Sequence, residues 1–391
     1  MLVPFSSFAQ EEVSVTEVMV WVKATDRSGK TISGLSQADF EIFEDGKKMV
    51  PTCFEETNYS APGPATPTQT GESQPEKSAF AASKRVAIIL DLYNTQQFEY
   101  LHIKPKIADF LDQIPAGWEI MLATVIPGAV EVNVPFSTDR KAFQDGIDRI
   151  SANAKRDIDV VNRRRTILQI LDRGLTARVI EDANRAAQEY AMEEMHMVRE
   201  SIKTLEKFEK DLVRWKIDSH LVAVYISGGI SSEPGRQYFD LIESRLGSSD
   251  FARRSLMGRE DGSHLWNLLR RIVAQLNRHN ITFYTINTRG NISPLPDSTV
   301  ERRRELRLDD RAYLDEMQEL MAEIADQTGG LYFENSTNFQ RGFDLILTDL
   351  DHQYLICYAA PPHKESNETH KIKVTSKKSG LKLRHRAMYV D

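Results

Sequence analysis

The run Val86-Ala87-Ile88-Ile89-Leu90, closing on Asp91-Leu92-Tyr93-Asn94-Thr95, constrains the fold of this chain more than any other segment. An unbroken apolar stretch of strand length needs both faces covered, which is the situation of a parallel strand inside an α/β sheet. Ligands of open α/β sheets bind at the carboxyl ends of the strands, so Asp91 stands where function is expected. Two similar runs follow, Leu221 to Ser227 and Ile281 to Asn287. Leu265, Leu268, Leu269, Ile272, Val273 and Leu276 repeat between them at helical spacing, as Ile103, Ile107, Phe110, Leu111 and Ile114 do after the first run. Strands alternating with helices over residues 84–352 predict an α/β fold with a doubly wound, mostly parallel sheet.

The flanks have a different period. In residues 11–56, Val18, Val20 and Val22 alternate with Met19 and Trp21, and Asp45-Gly46 separates two short apolar strands, a hairpin signal. Residues 353–391 return to this pattern: Leu355 to Tyr358, then Ile372 and Val374 alternating with lysines, then Leu381 and Leu383 beyond the turn Lys378-Ser379-Gly380. A lone hairpin is marginal in water, so the two ends are expected to form one small β-sandwich into which the α/β domain is inserted. Residues 57–83, rich in Pro, Gly and Ser, read as a flexible linker.

With 391 residues there is room for both units. A formal net charge of −7 excludes a general nucleic-acid binder, and no apolar run approaches a membrane span. In residues 1–10, Ser7 and Ala9 have the spacing of a signal-peptidase site after a short apolar stretch. The segment is either the tail of a secretory signal or a frayed terminus; the first reading puts the protein outside the cytoplasm, secreted or periplasmic. Cys53 and Cys357 are the only cysteines, one in a strand near each end. They form either one bridge between those strands or two separate buried thiols.

From residue 180 to 215 there is no Gly or Pro, and Ala191, Met195, Val198, Ile202, Leu205 and Leu212 follow four-and-three spacing, interrupted by Glu209. Such a stripe serves either as a coiled-coil arm for self-association or as the packed face of a long helix on its own domain.

From Lys84 to Leu350 the order of elements resembles a von Willebrand factor type A domain, whose first strand ends in Asp-x-Ser-x-Ser; here those serine positions hold Tyr93 and Thr95. Val20-x-Val22-x-x-x-Asp26-x-x-Gly29-Lys30, Gly34-Leu35 and Asp39-Phe40-Glu41-Ile42-Phe43-Glu44-Asp45-Gly46 are similar to the leader of the bacterial VWFA-related group typical of acidobacteria. Tyr354-Leu355-Ile356-Cys357-Tyr358 and the segment from Lys371 to Tyr389 resemble that group's closing strands. The resemblance implies export and a metal-ion-dependent adhesion site holding Mg2+. Asp91, Thr95 and Thr166 match three of its ligand positions, whereas Tyr93 and the Ser227-Gly228-Gly229 turn stand where a serine and a second aspartate are expected. The site therefore reads as degenerate.

Arg163, Arg164 and Arg165 precede Thr166. They are either a solvated basic turn or, facing the site, a grip for an anionic group of a partner. Tyr93, Asn94, Arg163, Arg165, Ser227 and Gly228 are accordingly the expected partner contacts. No Gly-x-Ser-x-Gly elbow, His-Glu-x-x-His or phosphate loop is present. Ser227 is the single nucleophile-like placement, and turn glycines after a buried strand explain it more simply. His363 and His370 share one loop without Cys or acidic partners at metal spacing. The expectation is a non-enzymatic binding protein; the alternatives are a scaffold self-associating through residues 180–215 and, last, a serine hydrolase.

Overall fold

Four strands open the chain in a computed structural model that describes residues 17–58, 84–151, 156–215, 220–247, 263–289, 300–334, 338–361 and 368–390. These are β1 (Glu17–Thr25), β2 (Phe40–Glu44), β3 (Lys47–Met49) and β4 (Pro51–Asn58). The α/β part follows as β5 (Arg85–Asp91), α1 (Gln97–Gln113), β6 (Glu119–Ile126), β7 (Ala129–Ser137), α2 (Arg140–Arg149), α3 (Arg156–Leu171) and α4 (Ala177–Trp215). It continues through β8 (Leu221–Ser227), α5 (Arg236–Leu246), α6 (Ser263–Arg278), β9 (Ile281–Asn287), α7 (Val300–Gln327), β10 (Tyr332–Phe333) and α8 (Phe339–Asp351). The chain closes with β11 (His352–Ala359), β12 (Thr369–Ser376), β13 (Lys382–Arg384) and β14 (Met388–Val390). Residues 1–10, expected as a signal remnant, and residues 59–83 of the expected linker lie outside the described residues; Thr57 and Asn58 belong to β4.

The larger sheet has the order β10-β9-β8-β5-β6-β7, parallel except for the edge strand β7, which turns back on β6 as a hairpin. Every residue of β8 and β9 is buried, as their uninterrupted apolar character requires. On one face Val86, Ile88, Leu90, Val222 and Val224 pack against α1, α2 and α8. On the other, Ala87, Ile89, Ala223 and Tyr225 pack against α4, α6 and α7. Met195, Val198, Ile202, Leu205, Phe208 and Leu212 of α4 all enter this second core. Ala183 and Ala187, further back on the same helix, meet Ile167 of α3 and Tyr238 of α5. The apolar stripe is thus spent inside the chain and is not left open for a coiled coil. Asp139 caps α2, accepting from the N–H groups of Lys141 and Ala142.

Two four-stranded antiparallel sheets, β13-β1-β11-β4 and β14-β12-β2-β3, are woven from the N- and C-terminal segments. Val20, Val22, Phe40, Ile42, Tyr354, Ile356, Ile372 and Val374 fill the core of this module. Cys53 on β4 and Cys357 on β11 are register partners and are bonded, with Cα atoms 4.8 Å apart across a sequence separation of 304 residues. Because that bond closes nearly the whole chain into a loop, reducing it is expected to cost about 2–4 kcal/mol of stability. Urea unfolding with and without reductant measures the effect; coincident curves would show that the bridge contributes nothing.

Basic residues anchor the β module to the ends of the helices. Lys23 Nζ donates to the carbonyls of Thr348 (2.8 Å) and His352 (2.9 Å), and Lys84 Nζ to that of Leu350 (2.6 Å) and to Gln353 Oε1 (3.1 Å). Arg384 Nε donates to Gly329 O at 3.0 Å while its other arm pairs with Asp349, and Arg386 donates to the carbonyls of Asn277 and Met19. Most of these acceptors lie in or just past the last turns of α6, α7 and α8, where carbonyls lack helical partners and the dipole favours cations. The module therefore sits below the amino ends of the sheet strands, and the carboxyl ends point the other way.

Candidate functional site

Asp91 ends β5 at the carboxyl pole of the sheet and is fully buried, 0% exposed. Its Oδ1 accepts from the backbone N–H groups of Tyr93 and Asn94, both at 3.1 Å, so the chain turns sharply as it leaves the strand. Its Oδ2 accepts from Asn94 Nδ2 (2.8 Å), the Tyr225 hydroxyl (2.5 Å) and the Ser227 hydroxyl (2.7 Å). Five donors thus converge on one carboxylate. Burial and the adjacent Asp91 carboxylate push the Tyr225 phenol well above its ordinary pKa, so it keeps its proton and remains a donor.

The loop after β8 closes over this centre. Ser227 Oγ accepts from the N–H of Gly229 (3.0 Å), and Thr95 Oγ1 accepts from the N–H of Gly228 (3.2 Å). A Cβ on Gly228 would lie 2.1 Å from the carbonyl oxygen of Asn94, so only glycine allows the two strand-end loops to approach this closely. Asn94 Nδ2 also reaches Ser201 Oγ of α4 (3.3 Å), which brings the long helix over the pole. Beside it Glu99 accepts from the backbone N–H of Gln96 (2.9 Å) and from Thr288 Oγ1 (3.1 Å), and lies 3.9 Å from Arg289.

The structure brings Asp91, Asn94, Thr95, Ser227 and Gly228 together and buries all five, while half-buried Tyr93 reaches the surface. Thr166 is not in a loop. It lies within α3, where its hydroxyl donates back to the carbonyl of Asn162 (3.0 Å). Arg163 and Arg165 share that helix and do not form a basic turn. Arg163 pairs with Glu193 (2.5 Å) and lies over the Tyr190 ring (5.4 Å), while exposed Arg165 contacts Asn162 (3.5 Å). These partners belong to α3 and α4, so Thr166 and Arg163 are engaged within the helical layer, while Arg165 stays exposed on α3. His370 lies on β12 and pairs with Asp45 (2.8 Å), and His363 is outside the described residues.

A hard cation such as Mg2+ needs a near-octahedral shell of oxygens with lone pairs to give. Here the Asp91 oxygens are taken by five protein donors, Thr95 accepts an amide proton, and Thr166 is engaged on its own helix. This donor set does not fit Mg2+. Tyr225 and Ser227 supply as hydroxyl donors the positive partners that a carboxylate would otherwise find in an ion. Tyr225 is the residue that sequence reasoning overlooked, although a tyrosine inside an otherwise apolar buried strand needs a partner for its hydroxyl.

No family model and no curated protein matches the chain. Among solved structures, the conserved hypothetical protein BatB from Bacteroides thetaiotaomicron aligns over 69% of this chain and 98% of its own, at 10% identity and TM-score 0.32. The N-terminal domain of TFIIH p34 aligns over 67% and 96%, at 9% identity and TM-score 0.27. Human COPII-coat protein Sec24c aligns over 81% and 44%, at 10% identity and TM-score 0.32. Likeness at this level assigns neither a family nor an activity to the chain.

Proposed function

We propose that this chain is an exported, non-enzymatic binding protein, built on a von Willebrand factor A-like domain inserted in a β-sandwich, whose strand-end pole engages a protein partner without a metal ion. The observation that carries the reading is the Asp91 carboxylate, buried and satisfied by protein donors alone. A pole held rigid by internal hydrogen bonds presents its rim to a partner: half-buried Tyr93, then exposed Gln97 and Leu101, the latter 55% exposed, at the start of α1. The Cys53–Cys357 bond supports export, since such bonds persist in oxidising compartments. Burial of Ser227 argues against a hydrolase, because an oxygen 0% exposed and bonded to Asp91 offers no approach to a substrate.

The test is capture of envelope and extracellular proteins from the native source on the immobilised full chain, in Mg2+ and in chelator. Capture is expected to be equal in both and to fall when Tyr93→Ala and Leu101→Asp are combined. A partner that is released by chelator, or that ignores the double variant, would sink this reading.

A further inference from the structure

Glu209 interrupts the apolar stripe of α4 one residue after Phe208, and the structure gives this interruption a setting. Eight residues beyond Ser201, hence about 12 Å further along the helix from the Asp91 pole, Glu209 lines a cavity of about 570 Å³. The cavity lies between the C-terminal part of α4, α6, the first residue of β12 and the last of β14, at the joint of the two units. Its volume falls in the usual range of small-molecule sites, which favour such joints.

Glu209 is 4% exposed, yet no hydrogen bond or ion pair among the described residues reaches its carboxylate. Its oxygens are not among the polar atoms sealed from water, so the carboxylate is met through the cavity that it lines, where an entering cationic group would find it without a protein partner. Burial, reinforced by Glu206, pushes its pKa upward, and Lys210 opposes that rise. Val213, Ile272 and Val390 give the cavity its apolar wall, and a second carboxylate, Glu206, also lines it. At the rim stand exposed cations. Lys210 and Arg214 make loose pairs on their own helix, at 3.9 Å with Glu206 and 3.5 Å with Asp211, whereas Arg271 has no ion pair or hydrogen bond among the described residues.

We propose that this cavity binds a small zwitterion, with its ammonium group at Glu209, its apolar stem against Val213, Ile272 and Val390, and its anionic end at Arg271. Glu209 and Arg271 line the same cavity, an acid and a base that carry no hydrogen bond or ion pair among the described residues. A polyamine would meet the rim cations with like charge, and a fatty acid would meet Glu209.

Calorimetric titration of the full chain with 6-aminohexanoate, hexylamine and hexanoate tests the assignment. The zwitterion is expected to bind more tightly than either single-charge analogue. Glu209→Gln is expected to weaken it about tenfold or more, the scale of a lost charge-assisted hydrogen bond, and Arg271→Gln to weaken it as well. Glu209→Gln should also unfold at or above the wild-type temperature, because it removes a buried charge without orphaning a partner. Absence of binding, binding unchanged in either variant, or equal binding of a single-charge analogue would overturn the proposal. So would a Glu209→Gln protein melting several degrees early, since that would reveal an internal partner for the carboxylate.

Discussion

Replacing Asp91 by alanine lowers the unfolding free energy by about 3–5 kcal/mol, and chelator leaves the loss unchanged. The truncation orphans the N–H groups of Tyr93 and Asn94, the Asn94 amide and the hydroxyls of Tyr225 and Ser227 at once, in a place water does not reach. Each unsatisfied buried donor costs about 1–3 kcal/mol, and the hydroxyls recover part of this by turning to other acceptors. Asp91→Asn is milder, about 1–2 kcal/mol, because its remaining oxygen still serves the two backbone amides. A metal-holding carboxylate predicts another pattern. There the ion stabilises the wild type alone, and removing it brings wild type and Asp91→Ala together. Urea unfolding of both proteins in Mg2+ and in chelator separates the two cases, and convergence in chelator would refute the metal-free site.

Across the molecule, Lys84→Met is expected to remove a pH dependence worth on the order of a few kcal/mol. Lys84 is 1% exposed, and burial pulls its pKa down to about 7, with Asp349 and Asp351 opposing that fall and Lys23 reinforcing it. Lys23 itself is pulled down to about 8. Because the folded form favours the neutral amine, the unfolded chain binds more protons between pH 7 and the ordinary lysine range near 10.5. Stability therefore rises with pH across that window and is flat with respect to this group below it. Wild type should gain on Lys84→Met between pH 6.5 and about 9.5, as the amine sheds its charge while keeping a donor for Leu350 O. A stability difference independent of pH would show that Lys84 keeps its charge throughout.

Much of the architecture is legible in particular residues. The runs at Val86, Leu221 and Ile281 became β5, β8 and β9 because a strand covered on both faces cannot carry polar residues and stay folded. The Asp45-Gly46 hairpin could be read because few residue pairs accept its backbone: Asp45 has φ +48° and Gly46 φ +82°. Position also marked Asp91, since a carboxylate at the end of a buried strand has few roles. Less could be read in α4, where four-and-three spacing describes a buried stripe without saying what buries it. Thr166 was placed by the family's pattern, as the match for a ligand threonine; the stretch folds as α3, whose Ile167 and Leu171 pack against α4 and α5.

The sequence by itself determined the main buried strands and several of the helices, that a mostly parallel sheet stands between two β halves, and that its pole carries an aspartate. Periodicity and turn chemistry are local, and local preferences survive in the folded chain. Only the tertiary structure decided what Asp91 is for. Tyr225 and Ser227 lie more than a hundred residues from it, and neither is marked as its partner until β8 pairs with β5. The same holds for Glu209: in the sequence it is an irregularity in a stripe, and the fold makes it part of the lining of a cavity. Satisfaction of buried polar groups is a property of the assembled structure, and that property turned a metal-like sequence into a site closed by its own hydroxyls.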